Sequence, residues 1–290
     1  MQKRITKAIL PVAGFGTRFL PVTKALPKEM LPIVDKPIIQ YLVEEAVKAG
    51  ITEIIFVTGR GKRSIEDHFD DSFELEYNLV EKHKHELLKE IYNISRLAKF
   101  AYVRQPKPLG DGHAISCARH LVGNEPCAIL FGDDIIDSKV PCIKQLMDVY
   151  EKYGDSVVAL EKVPKSEVSR YGVVKGVKIE PKTYQLQDIV EKPKVEDAPS
   201  DLTIVGKYVI TKEVFDALET VSPGNDGEIR LADALKAVLM KNKPVYGLEF
   251  EGERYDCGSK IGLLKANVDF ALKHKELNGD FREYLKSLKL

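Results

Sequence analysis

Through its first half the chain alternates short β-branched apolar runs with longer stretches whose apolar residues recur every three or four positions. Residues 7–13, 53–58, 100–104, 127–131 and 156–161 have the length and composition of strands, and residues 37–49, 61–69, 74–97, 111–121 and 139–153 have helical spacing. A helix between each pair of strands is the connection that parallel strands require, and right-handed crossovers then cover both faces of the sheet. The rhythm therefore predicts an α/β fold, doubly wound around a mostly parallel sheet, with ligands at the carboxyl ends of the strands.

From about residue 156 the spacing tightens. Strands are expected near 172–179, 185–191 and 203–210, with Glu180-Pro181-Lys182 as a turn, which predicts a mixed or antiparallel extension of the same sheet. The Pro-, Asp- and Lys-rich stretch 192–201 reads as a loop. Ser259 can cap a helix carrying Ile261, Leu264, Val268, Ala271 and Leu272, and a short charged helix follows over 280–290. The expected organisation is one domain over 1–290: a nucleotide-side part to about 155, a second part over about 156–258, and C-terminal helices from about 259.

Lysine plus arginine equal aspartate plus glutamate at 44 each, so no global field favours nucleic acid or an anionic membrane. Cys117, Cys127, Cys142 and Cys257 show no CxxC spacing, and the N-terminus has charged residues before only a short apolar run. A reducing cytoplasm, with no signal peptide or membrane span, is the expectation. His83 and His85 flank Lys84 between acidic residues, which reads as a solvated helix face rather than a metal site.

The chemistry is concentrated in residues 14–32, GFGTRFLPVTKALPKEMLP, directly after the first strand. Two glycines let backbone amides approach a ligand, and Thr17, Arg18, Lys24 and Lys28 add a hydroxyl and three cations, a set that suits a polyphosphate. A dinucleotide fingerprint needs a third glycine where Phe19 stands. A P-loop needs Ser or Thr after Gly61-Lys62 and a glycine at position 56, where the chain has Arg63 and Phe56. Neither of those sites is present. The amides around Gly14 to Thr17 and the Arg18 guanidinium would hold such a polyphosphate, whose oxygens match the guanidinium fork.

GxGTR, LPxTK, PKEMLP and YDCGS together resemble the signature set of the bacterial UTP-glucose-1-phosphate uridylyltransferases, within the sugar nucleotidyltransferase family, whose fold is Rossmann-like. Further matching segments are VTGRGKRSIEDHFD at 57–70, QPKPLGDGHAI at 105–115, LFGDD at 130–134, RYGVV at 170–174, IVEKP at 189–193 and VGKYVI at 205–210. Displacement at the α-phosphorus by a sugar phosphate needs no protein nucleophile, only charge neutralisation and alignment, and no Ser-His-Asp or Cys-His set is evident. The resemblance implies catalytic roles for Arg18, Lys28 and Lys192. Lys28 would sit on the leaving pyrophosphate or the α-phosphate, and Lys24 is either a second cation or a surface residue.

Adjacent Asp133 and Asp134 end an apolar strand and suit a hard divalent cation such as Mg²⁺, yet strand alternation sends them to opposite sides. The resemblance makes Asp133 and Asp256 the metal ligands and leaves Asp134 to hydrogen-bond a loop. Gln105 carries a primary amide suited to the imide edge of uracil or thymine. Family register adds Ala13, Gly14, Gly16, Thr17 and Gly110 around the nucleotide, with Glu29 a weaker candidate. For the sugar phosphate, Glu191 can accept from two hydroxyls while Lys192 neutralises phosphate, and Gly172, Val205 and Gly206 match segments lying against the hexose. The implied substrates are UTP and glucose 1-phosphate, with Mg²⁺ as cofactor and a homodimer or homotetramer as the assembly. A thymidylyltransferase on the same sugar phosphate and a non-catalytic sugar-nucleotide-binding regulatory protein are the alternatives.

Overall fold

The computed structural model describes residues 3–224 and 226–289, so the outermost residues of the expected 1–290 domain and the end of the terminal helix at Leu290 lie outside it. Among the described residues thirteen strands are formed: β1 (Lys7–Pro11), β2 (Pro32–Ile33), β3 (Lys36–Pro37), β4 (Glu53–Thr58), β5 (Lys99–Arg104), β6 (Cys127–Leu130), β7 (Asp134–Asp137), β8 (Ser156–Lys162), β9 (Gly172–Glu180), β10 (Thr183–Glu191), β11 (Leu202–Ile210), β12 (Val245–Glu249) and β13 (Glu253–Asp256). Nine form one sheet in the order β5-β4-β1-β6-β11-β8-β12-β10-β9. The run β5-β4-β1-β6 is parallel. β11 then runs antiparallel to both β6 and β8, β12 returns parallel to β8, and β10 and β9 form the expected antiparallel extension. The mixed α/β architecture is thus the doubly wound one that the strand–helix rhythm requires.

Successive residues of β1 and β4 point into two different apolar layers. Ala8, Leu10, Ile54 and Phe56 belong to one, while Ile9, Ile55 and Val57 belong to the other. Both faces of these strands are therefore buried under helices, which is why their sequences are continuously apolar rather than alternating. The helix Ile38–Lys48 covers the first face and Asp111–Cys117 and Leu231–Met240 the second. A buried ion pair, Lys207 Nζ to Glu45 Oε2 at 2.8 Å, ties β11 to the first of these helices.

β1 pairs with β4 on one side and β6 on the other, so connections leave in opposite directions at the carboxyl end of β1. That switch point opens a crevice between the loop after β1 and the loop after β6.

Two helical expectations are corrected. The 74–97 segment is two helices, Phe73–Glu81 and His85–Ser95. His83 adopts φ 52, its amide donates to Val80 O at 3.0 Å, and the Lys84 amide donates to Leu79 O at 2.9 Å, the paired bonds that close a helix through a left-handed residue. His83 is thus in the turn, not on a helix face. The 111–121 segment likewise divides into Asp111–Cys117 and Arg119–Val122. Ser259 does cap the helix Lys260–Lys273, its Oγ accepting from the Gly262 amide at 3.1 Å, but Ile261, Leu264 and Val268 face outward while Gly262, Ala266 and Ala271 are buried. Among the described residues no helix is long and apolar enough to cross a membrane.

Candidate active site

After β1 the chain passes through Val12–Gly16 into three single-turn helices, Thr17–Phe19, Val22–Lys24 and Lys28–Met30. Gly16 holds φ 66, and a Cβ there would stand 3.1 Å from Lys28 Cβ, so the left-handed glycine brings the two ends of the loop together. Thr23 Oγ1 donates to Gly16 O at 2.8 Å and fastens the turn. The result is one wall of a cavity of about 590 Å³, lined by Ala13, Gly14, Gly16, Thr17, Arg18, Lys28, Glu29, Gln105, Gly110 and Asp133 among others. Every residue expected around the nucleotide is in that lining. Lys24 is exposed and outside it.

The charges of this cavity are organised in pairs. Lys28 Nζ lies 2.5 Å from Asp133 Oδ2, and Arg18 Nη1 donates to Gly258 O at 3.4 Å. Burial favours the neutral forms of both Lys28 and Asp133, but their mutual attraction outweighs it: the Lys28 pKa is raised and the Asp133 carboxyl is held below its ordinary range. Deeper, Lys62 Nζ meets Glu29 Oε2 at 2.8 Å with both side chains buried. Here burial prevails over Lys62 and Lys28, and the Glu29 carboxyl is raised. Gln105 Nε2 donates to Gly110 O at 2.9 Å, which fixes the amide and leaves Oε1 to accept.

Asp133, Asp134 and Asp256 meet because β13 pairs antiparallel with β7, setting Asp256 opposite Asp134, while the Cys257 amide donates to Asp133 O at 2.8 Å. A Cβ on Gly258 would lie 2.5 Å from Asp133 Oδ2 and 3.0 Å from Asp256 Oδ1, so two carboxylates distant in sequence converge on a residue without a side chain. Burial, reinforced by these aspartates, pushes the neighbouring Cys257 thiol up to about 12, which leaves it an inert neutral packing group.

Asp134 faces the other way. Its Oδ2 accepts from the Gly206 amide at 3.1 Å and its Oδ1 from Arg254 Nε at 2.7 Å. The register of β11 against β8 shifts between Val205 and Tyr208, which frees the Gly206 amide from the ladder for this bond. The partner expected in a loop is therefore a bulged strand plus an arginine. Burial outweighs Arg254, so the Asp134 carboxyl is raised.

Asp133 and Asp256 fit a small hard cation. An ammonium already occupies the carboxylate edge of Asp133, and the two carboxylates leave the rest of a coordination shell to phosphate oxygens and water, as Mg²⁺ prefers. Among the described residues no cluster of three or more His, Cys, Asp or Glu offers a self-sufficient metal cage.

A second cavity of about 240 Å³ adjoins the first and shares Asp111, Phe131, Asp133 and Glu228 with it. Gly172, Glu191, Lys192 and Gly206 line it. Gly172 stands opposite Glu191 in the β9–β10 register, and a Cβ there would lie 3.0 Å from Glu191 Oε2. Lys192 follows β10 in a left-handed conformation, φ 45, with its amide on Tyr171 O at 3.0 Å and its Nζ 3.6 Å from Glu191 Oε1. A non-glycine residue held there costs on the order of 1–2 kcal/mol, a cost more often found at functional positions. Val205 is not in the lining; its side chain is buried in the core.

Several lining residues carried no assigned role in the sequence. Arg254 joins Asp134 to Glu161 Oε2, the latter at 3.0 Å; its place two residues before Asp256 on a strand was the available signal. Asp111, Glu228 and Arg230 sit at or beside the seam between the cavities, and Lys62 underlies Glu29.

A glycine-bearing loop with Arg18 and Lys28 at the switch point of a doubly wound sheet, sharing Asp133 with a smaller cavity lined by Glu191 and Lys192, is the arrangement of a transferase of phosphorylated nucleotides and sugars. Residues 7–272 match the nucleotidyl transferase family, and the chain belongs to that family. It is similar to the UTP–glucose-1-phosphate uridylyltransferase YngB of Bacillus subtilis (strain 168), 50% identical over 288 residues that cover 99% of this chain and 97% of that one. Its fold is similar to that of UTP-bound UGPase from Acinetobacter baumannii, with TM-score 0.91, 42% identity and coverage of 99% and 100% of the two chains. A UDP-glucose pyrophosphorylase complexed with UDP-glucose gives TM-score 0.86 and 46% identity over 93% of this chain and 100% of that one.

Proposed function

We propose that the protein transfers UMP from UTP to α-D-glucose 1-phosphate, giving UDP-glucose and pyrophosphate. The observation that carries this reading is the seam itself: a cavity lined by Gly14, Arg18 and Lys28 and a cavity lined by Glu191 and Lys192 share Asp133, whose Oδ2 lies 2.5 Å from Lys28 Nζ. The relatives' names and the nucleotide-bound neighbours support the choice of substrates.

Loop amides from Gly14 to Thr17 and the Arg18 guanidinium bind the triphosphate, and Gln105 Oε1 accepts from the uracil imide. Glu191 accepts from sugar hydroxyls, and Lys192 holds the sugar's phosphate at the seam. A phosphate oxygen of the sugar attacks the α-phosphorus, forming the new P–O bond as the bond to the β-phosphate oxygen breaks and pyrophosphate keeps the electron pair. Lys28 transfers its contact from Asp133 to phosphate oxygens as charge builds there. Asp133 and Asp256 would hold Mg²⁺, which when bound neutralises charge on the phosphates.

The nine-stranded sheet supports a single working domain. The exposed Ile261 and Leu264, at 63% and 62%, support a homodimer or homotetramer through the C-terminal helices, and the free cysteines suit the cytoplasm. The test of the metal reading is pyrophosphate release before and after chelation with EDTA, and in Asp133→Asn and Asp256→Asn. Release that survives chelation, or full activity in either variant, contradicts the metal assignment.

A further inference from the structure

Asp111 is a half-buried carboxylate with no part in the reaction sequence above, yet it lines both cavities. It opens the helix Asp111–Cys117, and its Oδ1 accepts from the amide of Leu231, which opens the helix Leu231–Met240, at 2.9 Å. Around it the two segments are joined by backbone bonds: Ile229 N to Leu109 O at 2.8 Å and Gly112 N to Ile229 O at 2.9 Å. The approach is so close that a Cβ on Gly110, at φ 97, would stand 2.5 Å from Ile229 O, and one on Gly112 would stand 2.8 Å from the Arg230 carbonyl carbon. One of these segments carries the Gly110 contact to Gln105 on the nucleotide side. The other carries Glu228 and Arg230 to the sugar side. Asp111 supplies the side-chain bond of the clasp.

We propose that Asp111 is a positioning residue for the sugar phosphate, acting through the Leu231 amide to hold Glu228 and Arg230 against the second cavity. The assignment rests on the transferase reading above and adds a residue that acts without touching the reacting atoms. Burial raises the Asp111 carboxyl to about 6 against the bonds from Leu231 and Gly112, and Glu191 and Glu228 add to the rise. The other ionisable groups facing this region are Arg230, paired with Glu228 and Asp226, and Tyr208 of β11, whose hydroxyl burial keeps neutral. Near neutral pH the carboxylate is ionised and accepts the Leu231 amide. Protonation removes acceptor strength and loosens the clasp on its sugar side.

Steady-state kinetics on Asp111→Asn and Asp111→Ala test this. Expected at pH 7.5 is a KM for glucose 1-phosphate raised about tenfold, with the KM for UTP within about twofold and kcat within about threefold. In the wild type that KM rises more steeply as pH falls through about 6 than in Asp111→Asn, where it starts high and only the substrate phosphate, with a second pKa of about 6, still titrates. The Asn variant melts no lower than wild type at pH 7.5. A sugar KM unchanged in both variants, equal losses for both substrates, or the same pH profile in wild type and Asn variant overturns the proposal. If the wild type releases no pyrophosphate, the transferase reading fails instead. The clasp is then read by hydrogen exchange at the Leu231 and Ile229 amides, whose protection falls in Asp111→Ala if the clasp exists and is unchanged if it does not.

Discussion

Replacing Arg254 by Met keeps an apolar stem of similar length and removes the charge between two acids. Arg254 Nε stands 2.7 Å from Asp134 Oδ1 and Nη1 stands 3.0 Å from Glu161 Oε2, with the arginine and Asp134 side chains only 8% and 11% exposed. Glu161 is 32% exposed, so water takes over its half of the arrangement at a cost of roughly 0–1 kcal/mol. Asp134 has no such recourse: it keeps the Gly206 amide but becomes a buried charge without a counterion. Breaking such a pair costs about 3–5 kcal/mol, and that is the loss expected from urea denaturation of Arg254→Met. The Asp134 carboxyl is raised even beside Arg254, and without it rises further, so protonation relieves the strain and the deficit shrinks as pH falls. Arg254→Met combined with Asp134→Asn leaves no unpaired buried charge at that position and recovers more than half of the loss. A single variant costing under about 1 kcal/mol, or a double variant as unstable as the sum of its singles, refutes the reasoning.

Three further outcomes are expected. Lys28→Met lowers kcat by about 10²–10³ through loss of a charge-stabilising group, measured as pyrophosphate release at saturating substrates. Gly206→Ala places a Cβ 2.5 Å from Asp134 Oδ2 and 2.8 Å from Phe131 Cβ and destabilises by about 1–3 kcal/mol, whereas Gly14, with nothing within 4 Å, accepts Ala without change in Tm. For Asp111 the folded carboxyl lies at about 6 against 3.8 for the free group, so the native state binds more protons than the unfolded chain between those values and stability falls as pH rises through the window. Asp111→Asn is therefore more stable than wild type by up to roughly 3 kcal/mol at pH 7.5, a gain that fades below about pH 4 in pH-dependent denaturation.

The parallel half of the sheet was legible because both faces of β1, β4 and β6 are buried, which writes itself as continuous apolar runs between helical ones. The gathering of Gly16, Arg18 and Lys28 on one cavity wall was legible because they are close in sequence, so it is local. The break at His83 was hidden because apolar spacing continues across a turn that a single left-handed residue creates. Asp111, Arg254 and Lys62 were silent because their roles are set by partners from distant segments: the Leu231 amide, Asp134 with Glu161, and Glu29. Val205 shows the complementary limit. A family segment fixes which strand lies at a site, but alternation along β11 sends Val205 into the core while the bulge at Gly206 turns the backbone toward the cavity.

The central claim is that one composite site joins UTP to glucose 1-phosphate. Side-by-side pyrophosphate release with UTP and dTTP, each with glucose 1-phosphate and Mg²⁺, tests it most directly. The account predicts release with glucose 1-phosphate present, none without it, and a higher kcat/KM for UTP. A marked preference for dTTP, or no release with either nucleotide, contradicts it.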